Sequence, residues 1–458
     1  MILKTFRALF LLLSIVLVID SHAREPQRSS PARSTIENKA TRARDLGIPF
    51  DGTPDKFNAI TDVAGVEVGY TTLIEGEGKL VVGQGPVRTG VTAIFPRGHA
   101  SNDPDVAGVE VGYTTLIEGE GKLVVGQGPV RTGVTAIFPR GHASNDPVYA
   151  GVFSLNGNGE MTGTAWVEES GFLEGPVVIT NTHSVGVARD AVIAWRNAHG
   201  GADAQGFSWS LPVVAETWDG WLNDLNGFHV KPEHVFHALE SAQGGAIEEG
   251  SVGGGTGMIC YEFKGGNGTA SRKIDMKDKT GAANTASPAR SFTVGVFLQA
   301  NFGRRPQLTI AGVPIGKEIP GEVYKKETGS CIAVVATDAP LLPHQLKRLA
   351  RRVSLGLART GSVSGNGSGD LFIAFSTANP GAAGSEQLTH SVETIPNDLM
   401  DPIFAATVQA TEEAVVNALI DNQSMTGRDN HHVDAIPHDR LRKILRKYNR
   451  LQSSRAPK

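Results

Sequence analysis

The densest run of chemistry-bearing residues is Gly250–Arg272, GSVGGGTGMICYEFKGGNGTASR. Two chemistries could use it. Gly253, Gly255 and Gly257 superficially match a dinucleotide fingerprint, which needs a strand before it and a helix after it. Here a helical pattern and a turn come first, MICYEFKGG after them reads as a strand, and no phosphate-loop Gly-Lys-Ser/Thr is present. The second chemistry starts from Gly250-Ser251. Glycine reaches backbone angles closed to other residues, so its carbonyl can be strained and presented to the neighbouring hydroxyl. Ser251 Oγ would attack that carbonyl, the acyl group would move from N to O, and water would hydrolyse the ester. A chain beginning at Ser251 has an α-amino group of unperturbed pKa about 7.7–8.0, able to take the proton of its own hydroxyl. Local sequence alone favours the blander reading, a serine resting in a glycine turn.

The elements around this segment read as layered α/β. Pro176–Thr182, Ser291–Gln299, Cys331–Thr337 and Leu371–Ser376 are short apolar, β-branched runs expected as buried strands. Helical spacing marks Ser184–Ala198, Pro232–Ala242 and Pro402–Asp421. Pro343–Arg359 is an amphipathic helix with Leu346, Leu349, Val353 and Leu357 inward and Lys347, Arg348, Arg351 and Arg352 outward. No Pro/Ser-rich linker interrupts Leu46–Tyr448, so one large domain over 45–458 is expected.

Composition narrows the class. The chain has 458 residues, 40% hydrophobic and 20% charged, with a net charge of −4, which provides a core and no basic footprint for nucleic acid. Two cysteines, Cys260 and Cys331, allow one disulfide or two free thiols. Met1–Ala23 has a basic start (Lys4, Arg7), a short apolar run over Ala8–Ile19 and a small-residue cleavage site, the anatomy of a secretory signal. It predicts a periplasmic or secreted protein without stable membrane association. Arg24–Arg44 reads as a flexible lead-in. Asp62–Pro104 is repeated residue for residue as Asp105–Pro147. Solenoids need about three or more copies, so one copy reads as surplus, with the other in the native strands and the surplus extruded at the surface.

The segments GSVGGGTGM and YEFKGGNGTASR resemble the L-aminopeptidase D-Ala-esterase/amidase family, which includes the β-peptidyl aminopeptidases. The resemblance extends through SLNGNGEMTGTAWVEESG (154–171), GPVVITNTHSVGVARDAVIAW (175–195), LPVVAETWDGWLNDLNGFHV (211–230), TVGVFLQANFGRR (293–305), residues 332–362, NGSGDLFIAFSTAN (366–379) and residues 425–450. It implies a four-layer αββα sandwich, a single domain that cleaves itself before Ser251, and a homo-oligomer of the cleaved α/β heterodimers. The α chain would end at Gly250 and the β chain begin at Ser251.

The implied activity is an aminopeptidase acting on short peptides, amides or esters through an acyl-enzyme on Ser251, with no metal or cofactor. Glu160 matches the position that binds the substrate ammonium, for which a carboxylate is the natural partner. An Asn in WLNDLNG would donate to the oxyanion; Asn223 is preferred, with Asn226 the alternative. Backbone N–H groups of Gly253–Gly255 are further donors. Asn301 and Tyr149 are candidate cleft residues, Tyr149 equally a core residue. His142, His183, His229, His431 and His432 lack metal spacing. An acyltransferase of the same fold and an unprocessed, non-catalytic homologue are the competing readings. The duplication is the chief departure from the family pattern.

Overall fold

The computed structural model describes residues 41–63, 67–75, 87–95, 110–140, 144–200, 205–277, 289–321 and 329–452. The signal segment, most of the lead-in and His142 lie outside the described residues.

Two six-stranded sheets carry the molecule. The first runs in the order β1 (Glu67–Glu75), β2 (Val87–Phe95), β3 (Glu110–Glu118), β4 (Val130–Phe138), β7 (Val177–Asn181), β8 (Val213–Thr217). The second runs β11 (Gly266–Met276), β12 (Arg290–Asn301), β13 (Ser330–Thr337), β14 (Gly369–Ser376), β5 (Val148–Gly157), β6 (Phe172–Leu173). The short strands β9 (Ile259–Cys260) and β10 (Phe263–Lys264) form a small separate hairpin. Neighbours in the second sheet are antiparallel except β13 and β14.

Side-chain alternation explains why the second sheet reads as continuous apolar runs: both its faces are covered. Phe297 of β12, Ile332, Val334 and Ala336 of β13, and Ile373 and Phe375 of β14 share a core with Tyr113, Val134, Ala136 and Ile179 of the first sheet. Val296 and Leu298, Ala333 and Val335, and Phe372 and Ala374 point the other way. They pack with α5 (Pro343–Arg359) and α6 (Asp401–Ile420). The remaining helices are α1 (Thr164–Ser170), α2 (Val185–Ala198), α3 (Pro232–Glu240), α4 (Ile315–Glu318) and α7 (His438–Lys447). Of these, α2 lies against β7 and β8, and α3 against α2, β3 and β4. In α5, Leu346, Leu349 and Val353 are fully buried and Leu357 nearly so. Although α6 is long and apolar enough to cross a membrane, most of its surface is buried inside the fold.

Three sequence expectations change. Residues 258–264 are not one strand: Tyr261 and Glu262 take positive φ, 50° and 60°, and turn β9 back onto β10. The lead-in ends before Arg42. Ala43 is fully buried, and Arg42 and Arg44 pair with Glu249 and Glu413, so a polar composition hid buried ion pairs. Both copies of the repeat form hairpins in the first sheet, β1 with β2 and β3 with β4. The second copy pairs with β7 and supplies most of the packing against the Gly253–Gly257 turn, which β2 of the first copy also reaches.

Candidate active site

The turn that follows α3 delivers Gly250 to the edge of β11. Gly250 N donates to Asn267 O (2.7 Å), and the Gly250 carbonyl accepts from Asn267 N (2.8 Å) and Val252 N (2.9 Å). Gly250 has φ +77°, and a Cβ there would lie 1.7 Å from the Asp421 carbonyl oxygen, so only glycine fits. A Cβ on Gly266 would meet that same Gly250 carbonyl oxygen at 2.1 Å. The carbonyl before Ser251 is thus held in a backbone conformation closed to other residues, with two N–H donors aimed at its oxygen. Ser251 is half-buried, and its Oγ donates to Asn422 Oδ1 across 2.6 Å.

On the other side of the serine, Gly253–Gly257 forms a 3-10 turn buried between the sheets. Gly253 N donates to Thr115 Oγ1 (2.6 Å), Gly254 N to Thr135 Oγ1 (3.0 Å) and Gly255 N to Val252 O (2.9 Å). These N–H groups are therefore engaged and are not spare oxyanion donors, contrary to the sequence expectation. The two threonines belong to the second copy of the repeat.

The residue before the glycine is also fastened. Glu249 receives Arg42 Nε at 2.6 Å, Arg42 Nη2 at 3.1 Å and Thr269 N at 2.7 Å. Burial pushes the Glu249 carboxyl up to about 7, outweighing the pull of Arg42. Lys264 is fully buried, with Nζ donating to Met258 O (2.8 Å) and Gly265 O (2.7 Å), and burial brings its ammonium down to about 7. Asp219 is pushed up to about 7 by burial, against hydrogen bonds that favour its charged form.

Glu160 is exposed just beyond the end of β5, its backbone N–H donating to Glu216 Oε1 (3.1 Å). Glu216 is buried; its other oxygen accepts from Thr182 Oγ1 (2.5 Å), and burial raises its carboxyl. Asn223 is buried with both polar atoms engaged: Oδ1 accepts from Arg131 N (2.8 Å) and Nδ2 donates to Asp219 Oδ2 (3.0 Å). Asn226 is exposed in the short turn Leu225–Gly227. Asn301 ties two backbones, accepting from Ile259 N (2.8 Å) and donating to Trp218 O (2.7 Å). Tyr149 stacks on Phe172 with ring centroids 4.7 Å apart. It sits at the opposite end of β5 from Asn156, seven residues or roughly 23 Å along the strand. The fold thus takes Tyr149 away from Glu160 and gives Asn301 a backbone-fastening role.

Sequence reasoning missed Asn422, Asn267, the Arg42–Glu249 pair and Asp219. The one visible signal was Lys264, a lysine inside an apolar segment. Cys260 and Cys331 are both buried and unbonded, which resolves that alternative in favour of thiols. Among the described residues, no group of three His, Cys, Asp or Glu side chains converges as a metal site.

The pattern that defines peptidase family S58 matches residues 58–104 and 103–433. Its two matches meet where the repeat does. The chain is 48% identical over 432 residues to the β-peptidyl aminopeptidase BapA of Sphingosinicella microcystinivorans, covering 90% of this chain and 94% of that one. It is 43% identical over 428 residues to the BapA of Sphingosinicella xenopeptidilytica, covering 90% and 93%. The solved L-aminopeptidase D-Ala-esterase/amidase of Ochrobactrum anthropi, a variant of the Ntn hydrolase fold, superposes with a TM-score of 0.71. It is 44% identical, with 90% of this chain and 99% of that one covered. Fold and relatives together define an aminopeptidase hydrolase with a mixed α/β, Ntn-hydrolase-like architecture. The chain belongs to peptidase family S58.

Proposed function

We propose that the chain is a self-processing serine aminopeptidase that cleaves itself between Gly250 and Ser251 and then uses Ser251 as its nucleophile. The observation that carries this reading is the Gly250 carbonyl, at φ +77° and held by two N–H donors beside a half-buried hydroxyl. In the first step a bond forms from Ser251 Oγ to the Gly250 carbonyl carbon. The C–N bond breaks, and the hydroxyl proton passes to the departing nitrogen. Water then hydrolyses the ester, leaving a Gly250 carboxylate, a free Ser251 hydroxyl and an α-amine. In turnover that amine takes the Oγ proton as Oγ attacks the substrate carbonyl and gives it to the leaving amine. Water releases the acid product. The N–H groups of Asn267 and Val252 are the donors best placed for the oxyanion, ahead of Asn223.

The fold offers a reason for the two chains to stay together. β5 and β6, from the α chain, complete the sheet of β11–β14 from the β chain. With α2 and α3 against one sheet and α5 and α6 against the other, the proposed arrangement is the four-layer αββα sandwich, assembled further into a homo-oligomer. Exposed Glu160, backed by Glu216, is proposed to take the substrate ammonium. The relatives are β-peptidyl aminopeptidases, so short peptides or amides with an N-terminal β-amino acid are the first substrates proposed. Export to the periplasm or beyond is proposed from the Met1–Ala23 segment.

A denaturing gel of purified protein tests the core of this. Two fragments with Ser251 at one N-terminus, and a single full-length Ser251→Ala chain, are expected. Wild-type protein that stays full length overturns the proposal.

A further inference from the structure

The short strand β6 covers only the start of β5. It pairs with Val148 and Tyr149, and Ala150 N donates to Gly171 O (2.9 Å) just beyond. From there on, among the described residues, β5 has a neighbouring strand on one side only, β14. In an antiparallel ladder the backbone groups of alternate residues face the same side. Those of Val152 and Ser154 therefore follow Ala150 to the open side. The strand also emerges into solvent there, with Ser154 and Gly157 exposed. An exposed edge of this kind is a template for one more strand.

A cavity of about 480 Å³ borders this edge, walled by Glu168 of α1 and by Lys347 and Arg351 of α5, with Phe153 and Phe372 beneath. At one end it reaches Gly159 and Met161, the two neighbours of Glu160. Charge is sorted between the ends. Exposed Glu160 stands at one, its backbone N–H on the buried carboxylate of Glu216 (3.1 Å). At the other, Lys347 Nζ is taken by Glu168 Oε1 (2.7 Å). The guanidinium of Arg351 lies over the Phe153 ring, 5.2 Å from its centroid, and forms no ion pair among the described residues. A guanidinium stacked on a ring keeps its N–H edge free for a carboxylate.

The spacing sets the size of the ligand. Phe153 and Gly157 are four residues apart on β5, roughly 13 Å at about 3.3 Å per residue. A strand of about four or five residues reaches from the Glu160 end to Arg351. Laid antiparallel to β5, it has its N-terminus beside Glu160 and its C-terminus beside Arg351.

Resting on the reading that Glu160 takes the substrate ammonium, we propose that the open edge of β5 is a peptide subsite of this aminopeptidase. It takes short extended peptides with a free C-terminal carboxylate, which Arg351 binds. The placement is independent of which hydroxyl attacks.

Two substrates test this on the full-length protein: β-alanyl-triglycine as the free acid, and the same peptide as its C-terminal amide. The variants are Arg351→Met, Arg351→Lys, Ser154→Pro and Glu160→Gln, with KM, kcat, Tm and the molecular mass in solution as readouts. Wild type is expected to show a KM at least fivefold lower for the acid than for the amide. Arg351→Met should bring the two KM values within twofold of each other, and Arg351→Lys should keep part of the preference. General damage to the fold would raise both KM values and leave their ratio in place. Ser154→Pro removes an N–H on the open side, a position where an edge strand tolerates proline. It should raise KM at least threefold for both peptides. Arg351 is exposed, so its variants decide the question even where Ser154→Pro fails to fold. Equal KM values in wild type, or a preference that survives Arg351→Met, overturns the inference. So does a change of oligomeric mass in Arg351→Met, which would assign the groove to a second copy of the chain. Glu160→Gln with unchanged KM for both peptides overturns the Glu160 reading alone; an acid preference that Arg351→Met abolishes still supports the carboxylate site.

Discussion

Arg42 and Glu249 form an ion pair with Nε and Oε2 2.6 Å apart, one residue before the proposed cleavage site, with the Glu249 side chain only 2% exposed. The pair ties the start of the described chain to the residue that sets the position of Gly250. Guanidinium suits this role because its planar fork meets both carboxylate oxygens at once.

Removing one partner of a buried pair leaves an uncompensated charge, at a cost of about 3–5 kcal/mol. Arg42→Met should therefore lower Tm by several degrees and slow formation of the Ser251 fragment, and Arg42→Lys should restore only part of either. Thermal melts with a timed gel check this; a Met variant that melts and matures like wild type would show that the pair does not position the site.

Asp219 gives a pH-dependent expectation. Its carboxyl is raised from 3.8 to about 7 in the folded protein, so the fold binds its proton more tightly than the unfolded chain does. Its contribution to stability is full below the unfolded value and is lost as pH rises through about 7. Asp219→Asn keeps an acceptor for Asn223 Nδ2 and never ionises. It should match wild type near pH 4 and exceed it near pH 8 by on the order of a few kcal/mol, at about 1.4 kcal/mol per pKa unit. Urea unfolding at pH 4, 6 and 8 measures the gap; a gap constant across pH contradicts the argument.

Glu160→Gln keeps the side-chain shape and removes the charge that would meet the substrate ammonium. A hydrogen bond to a charged group is worth about 1.5–3 kcal/mol, so kcat/KM should fall roughly ten- to a hundredfold, mainly through KM. Steady-state kinetics on a substrate with a free amine decide this, and an unchanged KM would remove Glu160 from the ammonium site.

The repeat makes a further prediction. Deleting 62–104 or 105–147 produces the same sequence, because the copies are identical. That shortened chain should fold and mature, since the copy that remains can supply the Thr115 and Thr135 contacts to the Gly253–Gly257 turn. In the full chain, Thr135→Val should slow maturation, because it removes the acceptor of Gly254 N. Thr92→Val, its counterpart in the first copy, should leave maturation within twofold of wild type. Equal effects of the two variants on a gel would mean that the copies exchange places.

Much of the fold was legible. The α5 boundaries and its inward leucines follow from helical periodicity, and β7, β12, β13 and β14 follow from apolar runs, within about two residues. Those signals are local, set by side-chain alternation over a few residues. The misses were of another kind. MICYEFKGG has strand composition, but two residues at positive φ fold it into a hairpin. Thr41–Arg44 has the composition of a tail, yet its arginines find buried glutamates. Tyr149 reads equally as cleft or core until its strand has a direction, and the stack on Phe172 places it with the core.

By itself the sequence determined the Gly250-Ser251 pair, the glycine frame around it, the duplication and the likeness to serine aminopeptidases, all properties of contiguous residues. Only the tertiary structure decided what meets the serine. Asn422 is 171 positions from Ser251, Arg42 is 207 from Glu249, and Thr115 is 138 from Gly253. No local pattern encodes such pairs, because each exists only after two sheets and a helix have closed over the loop and left buried polar groups that must find partners.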